Sequence, residues 1–294
     1  MKQLLILSGK GGTGKTTVAA AFIKLSQAKA CADCDVDAPN LHFTLNKDIP
    51  SEQTPFYGLN IAHIDQKQCA QCALCLRHCR FGAIACKDGV YVVDTPACEG
   101  CGVCEAICPE KAVSLVPDPA GAMMLYSDEK SVFSTARLKM GKGNSGMLVT
   151  EVKKRMRDSA PPETSVAVID GSPGIGCPVI ASLSGVDMVL IVAEPSLSGM
   201  SDMERIIKTA GKFGVGMAVC VNKYDMSEAN TRAIEAFCKG NDIPFMGKIP
   251  FDPQVVKTVN SGRSIIDVDC PSGKAVHLIY NTVMSLLGKR ETLT

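Results

Sequence analysis

Gly9-Lys10-Gly11-Gly12-Thr13-Gly14-Lys15-Thr16 lies between a short apolar run, Leu4 to Leu7, and a stretch with apolar residues at Val18, Phe22 and Leu25. A glycine, four residues and then Gly-Lys-Thr is the order of a loop whose backbone N–H groups close around a phosphate chain. Gly11, Gly12, Thr13 and Gly14 are expected to shape that cradle, and Lys15 to reach the β- and γ-phosphates. The Thr16 hydroxyl is expected to ligate Mg²⁺, with Thr17 beside it on a helix whose positive end faces the same anion. A second chemistry lies in the cysteines. Of fifteen, eight form two runs, Cys69, Cys72, Cys75, Cys79 and Cys98, Cys101, Cys104, Cys108; the other seven are scattered. A disulfide scaffold belongs to an exported chain, and Leu4 to Leu7 is too short for a signal-peptide core, so this clustering points to metal. Structural zinc needs only two cysteine pairs, and two complete four-cysteine runs exceed that need.

Strand and helix patterns place these residues. The 294 residues, 46% hydrophobic and 21% charged with a formal net charge of +1, fit a soluble globular chain of one or two domains. That charge gives no case for nucleic acid, and no apolar run approaches the roughly 20 residues that span a bilayer. A cytoplasmic location is expected. Residues 3–7, 165–170, 187–194 and 216–222 read as buried parallel strands, with a brief one at 30–32. Helices are expected at about 16–27, 146–158, 178–184, 199–213, 227–239 and 272–287. This alternation predicts an α/β fold, a mostly parallel sheet with helices on both faces. Residues 120–143 read as turns and short strands, and "RLKMGKGNSG" within 120–146 has lysines and glycines that border the nucleotide, the cysteine segment or a partner, or form only an exposed hairpin and loop.

"KGGTGKT" resembles the deviant Walker A motif of the MinD/Mrp family of P-loop ATPases. The resemblance implies that Lys10 crosses a dimer interface to the partner's nucleotide, as against a solvated loop lysine. It further implies a homodimer, or a heterodimer with a related ATPase, enclosing ATP and Mg²⁺. "DCDVDAPNL" is similar to the family's first switch, with Asp35, or in the other register Asp37, orienting the attacking water and the Mg²⁺ shell. "VAVIDGSPGIG" is similar to the second acidic strand end, which implies that Asp170 holds Mg²⁺ through water and Gly174 senses the γ-phosphate. An aspartate there is otherwise often a helix cap. "VNKYD" and "IPFD" resemble the adenine-side segments, with Asn222 bonded to the base. No glycine ends the first helix, and little chain separates it from Asp33.

The cysteine runs resemble a bacterial two-cluster ferredoxin of inserted α+β type, in which the fourth cysteine of each run crosses to the other cluster. The resemblance implies one [4Fe–4S] cluster on Cys69, Cys72, Cys75 and Cys108, and a second on Cys79, Cys98, Cys101 and Cys104. Arg80 stands where that motif expects proline. The expected domains are 1–55 with 119–294 for the ATPase and 56–118 for the insert.

The combination implies a slow, partner-dependent ATPase whose dimer closure gates electron transfer through two clusters to an unidentified redox partner. The alternative is an assembly or carrier protein delivering iron–sulfur or metal–sulfur centres to a client. The absence of a Cys-x-x-Cys pair near the C-terminus counts against a bridging-cluster carrier. A third reading, a MinD-like positioning ATPase, would call for a basic amphipathic C-terminal helix at a membrane, and "HLIYNTVMSLLGKR" has few basic residues.

Overall fold

The computed structural model describes residues 1–45 and 50–289; Arg290 of the last quoted segment lies outside the described residues. From the N-terminus, β1 (Lys2–Leu7), α1 (Lys15–Ser26), β2 (Ala30–Asp33) and the short α2 (Leu41–Thr44) lead to β3 (Glu52–Tyr57). The cysteine-bearing stretch holds β4 (Ile61–Ile64), α3 (Leu74–His78), β5 (Ile84–Lys87), β6 (Val90–Val93), α4 (Val103–Ala106) and β7 (Val113–Val116). Next come β8 (Pro119–Ser127), β9 (Val132–Leu138), α5 (Ser145–Asp158), β10 (Val166–Asp170), α6 (Cys177–Leu183) and β11 (Met188–Ala193). The chain ends through α7 (Leu197–Gly211), β12 (Gly216–Asn222), α8 (Glu228–Gly240), β13 (Phe245–Ile249), α9 (Pro253–Asn260) and α10 (Pro271–Lys289).

Nine strands form one sheet in the order β13-β12-β11-β1-β10-β2-β9-β8-β3. The pairings from β13 through to β9 are all parallel. β1 sits between β10 and β11, and its Leu4 to Leu7 are fully buried because both faces are covered. α1 presents Val18 and Phe22 to the sheet, and Phe22 meets Tyr280 of α10 edge-on at 5.3 Å. α1 ends without glycine: Gln27 takes the left-handed cap at φ 48° and donates to the Ile23 and Lys24 carbonyls. That tight stop leaves β2 only four residues.

The expectation of turns and short strands over 120–143 is corrected by β8 and β9, nine and seven residues long and both in the main sheet. β9 buries Ser134 and Thr135 among its apolar residues, so the stretch shows neither a continuous apolar run nor a clean alternation.

The chain divides into two compact units. One comprises Met1–Gln53, Met124–Ala136 and Ser145–Thr294; the other comprises Thr54–Met123 and Arg137–Asn144. The second unit is an internal repeat with a step of twenty-nine residues. β4 and β7 pair antiparallel with Ile64 opposite Val113, and β5 and β6 pair with Val93 opposite Ile84, the same register carried one step along. Left-handed backbone recurs at the same step: Gln71 with Gly100, Ala73 with Gly102, Gly82 with Lys111. The unit's buried apolar cluster is small, Ala62, Ile64, Ile84, Tyr91 and Val113, and cysteines of both runs pack against it.

Candidate functional site

β1 and α1 hold the glycine loop between them, with Gly12 at φ 80° and Gly14 at φ 91°. A side chain at Gly14 would be strained by that φ and would run into the Asn222 amide. Lys15 is buried and its Nζ lies 2.5 Å from Asp170 Oδ1, while Thr16 Oγ1 donates to Asp170 Oδ2 at 2.7 Å. The ends of β2 and β10 lie in register, Asp33 beside Asp170, so a parallel sheet delivers two carboxylates to one lysine. Burial pulls the Lys15 ammonium down, but Asp170, Asp33 and Asp35 more than offset it and hold its pKa above the ordinary value.

Asp33 is the residue that sequence reading missed. Its Oδ1 accepts from the Asp35 N–H and its Oδ2 from the Asn40 and Leu41 N–H groups, each at 3.0 Å, so it staples the segment after β2. Burial, reinforced by Asp170 and opposed by Lys15, pushes its pKa up to about 7. The available signal was the alternation of aspartates at 33, 35 and 37. Asp35 is half-buried, and burial raises its pKa while Lys15 opposes the rise; Asp37 is exposed. The Cys34 N–H donates to the Asp170 carbonyl at 2.8 Å and Ser172 Oγ donates to the Cys34 carbonyl, which joins the segments after β2 and β10.

The Gly174 N–H donates to the Ser8 carbonyl at 3.0 Å, within the same turn-rich segment that precedes α6. Lys10 pairs with Glu194 of its own chain at 2.5 Å, beside the Ser196 and Ser198 hydroxyls at 3.4 Å. Asn222 donates to the Thr13 carbonyl at 2.7 Å and lines a cavity of about 250 Å³ together with Gly12, Gly14, Thr17, Pro250 and Phe251. Thr13 Oγ1 is buried in the loop with no hydrogen-bond partner among the described residues. A phosphate chain fits this arrangement: left-handed glycines, a buried lysine, an unpartnered hydroxyl, and an adjoining cavity with an apolar wall on α9.

In the second unit, Cys69, Cys72, Cys75 and Cys108 line one small cavity, and Cys79, Cys98, Cys101 and Cys104 line another. The fourth cysteine of each run therefore stands with the other run's first three. Backbone N–H groups approach the sulfurs at repeat-related places, Ala83 to Cys79 and Ala112 to Cys108, both at 3.3 Å. Among the described residues, no three His, Cys, Asp or Glu side chains converge closely enough for a single metal ion. The scattered Cys31, Cys34, Cys220, Cys238 and Cys270 are buried, whereas Cys86 and Cys177 are exposed.

A parallel sheet with a phosphate-type loop between its central strand and α1 defines a P-loop nucleotide-binding fold. Residues 4–265 match the CobQ/CobB/MinD/ParA nucleotide-binding domain, and the chain belongs to that family. It is 29% identical over 293 residues to an uncharacterized protein of Methanocaldococcus jannaschii, covering 97% of each chain. An uncharacterized ATP-binding protein of the same organism is 26% identical, with 98% of this chain and 88% of that one covered. A cytosolic Fe–S cluster assembly factor of Eremothecium gossypii is 23% identical over 156 residues, 47% of each chain. Among solved structures, the septum site-determining protein MinD of Pyrococcus horikoshii, complexed with Mg-ADP, superposes with a TM-score of 0.59, at 18% identity and 99% coverage of both chains. Among the described residues, no helix is long and apolar enough to cross a membrane.

Proposed function

We propose that this chain is an ATP-hydrolysing iron–sulfur protein in which dimer closure on ATP gates electron transfer through two [4Fe–4S] clusters. The observation that carries the reading is the crossing of the cysteines, Cys108 with the first run's three and Cys79 with the second's. A ferredoxin-type pair of clusters requires that exchange, and two complete four-cysteine runs exceed what structural zinc needs. The small apolar core of this unit also favours a bound group that completes it. Clusters held there would supply one-electron chemistry.

The nucleotide half follows from the loop and the carboxylates. Lys15 exchanges its pairing with Asp170 for the phosphates, which frees Asp170 to orient waters on Mg²⁺ alongside the Thr16 hydroxyl. Asp35 orients the attacking water, and the Gly174 N–H exchanges the Ser8 carbonyl for the γ-phosphate. Lys10 leaves Glu194 and completes the second subunit's site. The products are ADP and phosphate, and the Asn222 region and Phe251 border the cavity assigned to the base.

The likeness to an Fe–S assembly factor favours a second reading, delivery of a cluster to a client protein. The fold likeness to MinD fits a positioning ATPase, but α10 spends its apolar residues Val276, Ile279, Val283 and Leu287 in the core. One experiment separates these. The chain is reconstituted anaerobically, iron and sulfide are counted, and the count is repeated after ATP turnover with an apo-ferredoxin acceptor. Electron transfer requires about eight irons and eight sulfides per chain that stay bound throughout. Clusters that leave with turnover establish delivery, and a chain that takes up no iron overturns both.

A further inference from the structure

The twenty-nine-residue repeat makes the two cysteine sets equivalent, and one segment breaks the equivalence. Both cysteine cavities are lined only by residues of the repeat, Ile64 to Val113 for the first set and Ala62 to Leu115 for the second. The second run has an additional neighbour, the stretch Arg137–Asn144 from far along the chain. Lys142, its side chain 15% exposed, pairs with Asp118 at 2.5 Å and donates to the Thr95 carbonyl at 3.2 Å. It shares a small cavity with Cys98 and Glu99. Thr95 has its repeat counterpart in Gln66, whose side-chain amide donates to the Ile64 and Tyr91 carbonyls, both within the repeat.

The same stretch runs directly into α5 at Ser145. α5 is fastened to both ends of α6. A Cβ at Gly146 would lie 3.3 Å from the Cβ and the carbonyl oxygen of Cys177, so the two helix starts touch backbone to backbone. At the other end, buried Lys153 donates to the Ser182 and Ser184 carbonyls at 2.6 Å each, and to the Ala181 carbonyl at 3.3 Å. α6 begins three residues after Gly174, whose N–H is bonded to Ser8 of the phosphate-loop strand end. Gly174, α6 and α5 are thus tied in series by packing and hydrogen bonds. Lys142 lies three residues before Ser145 in the chain.

We propose that Lys142 is a positioning residue through which the nucleotide state acts on the second cysteine set, Cys79, Cys98, Cys101 and Cys104, and not on the first. The inference rests on the cluster and nucleotide roles proposed above. Its test uses the full chain, reconstituted anaerobically, in MgADP and in the magnesium complex of a non-hydrolysable ATP analogue. In the wild type, one of the two EPR midpoints moves by at least a tenfold change in reduction equilibrium (59 mV for one electron), and the other stays. Lys142→Ala holds the same iron and sulfide and loses the nucleotide-dependent shift; Lys142→Arg, which retains the donor, keeps it. Midpoints that move together in the wild type, or a shift that survives in Lys142→Ala, overturn the proposal. Hydrogen exchange on the wild type gives a second readout that needs neither the variant nor the clusters. Amide protection at 95–104 changes between the two nucleotides while that at 66–75 does not; equal changes, or none at 95–104, overturn the coupling. A wild type without iron refutes the cluster reading, and the exchange result still decides the mechanical one.

Discussion

Three carboxylates, Asp33, Asp35 and Asp170, act on the single ammonium of Lys15, and the pair at the strand ends is fully buried. Burial, reinforced by the Asp170 carboxylate and opposed by Lys15, pushes the Asp33 pKa up to about 7. Its carboxyl is raised above the unfolded value of 3.8, so the folded state holds a proton that the unfolded chain has released. The resulting stability is complete below that lower value and is lost as pH rises through about 7. Thermal melts of the ligand-free protein should therefore show Tm falling as pH rises from 3.8 to about 7. Asp33→Asn should flatten this slope and lower the plateau by about 1–3 kcal/mol, since its amide places a donor where the Asn40 and Leu41 N–H groups arrive. An unchanged slope in Asp33→Asn would place the titration on another group.

At the scale of elements, the loops before α3 and α4 are the same loop written with different residues. The second copy uses Gly100 and Gly102 for its left-handed positions, at φ 64° and 75°. The first uses Gln71 and Ala73, at φ 55° and 60°, where a Cβ costs about 1–2 kcal/mol per residue. The fold of the unit therefore imposes this turn against local preference, as loops that wrap a fixed group do. Ala73→Gly should relieve the strain and raise stability by about 1 kcal/mol in urea unfolding of the cluster-free chain, offset in part by the added freedom of the unfolded state. A loss of stability would mean that the Ala73 methyl does more by packing than it costs in backbone. Only the repeat exposes this, because Ala73 in a sequence gives no sign of positive φ.

For the molecule as a whole, the proposed dimer closure turns on Lys10. Its ion pair with Glu194 is partly exposed, 37% and 18%, so it is a weak hold that the proposed closure on ATP would displace. Glu194→Gln should lower the ATP-analogue concentration for half-maximal dimerisation about two- to fivefold, read by sedimentation velocity. Lys10→Ala should abolish the dimer at every concentration. A midpoint that does not move in Glu194→Gln would show that the pair does not compete with closure.

The sequence by itself determined whatever depends on local spacing. The phosphate loop reads directly because glycines, Lys15 and Thr16 act through backbone turns within eight residues. The strands at 166–170, 188–193 and 216–222 read directly because burial on both faces forces continuous apolar runs. Tertiary structure alone decided what distant segments share. It buried Asp33 beside Asp170, because the pairing of β2 with β10 sets the two strand ends in register. It placed β9 in the main sheet despite buried Ser134 and Thr135, because pairing with β2 supplies backbone partners that no periodicity records. It also brought Lys142 to Thr95, forty-seven residues away, and so gave two sequence-equivalent cysteine runs unequal surroundings. Spacing along the chain fixes which atoms can serve one short loop, and only folding fixes which loops stand together.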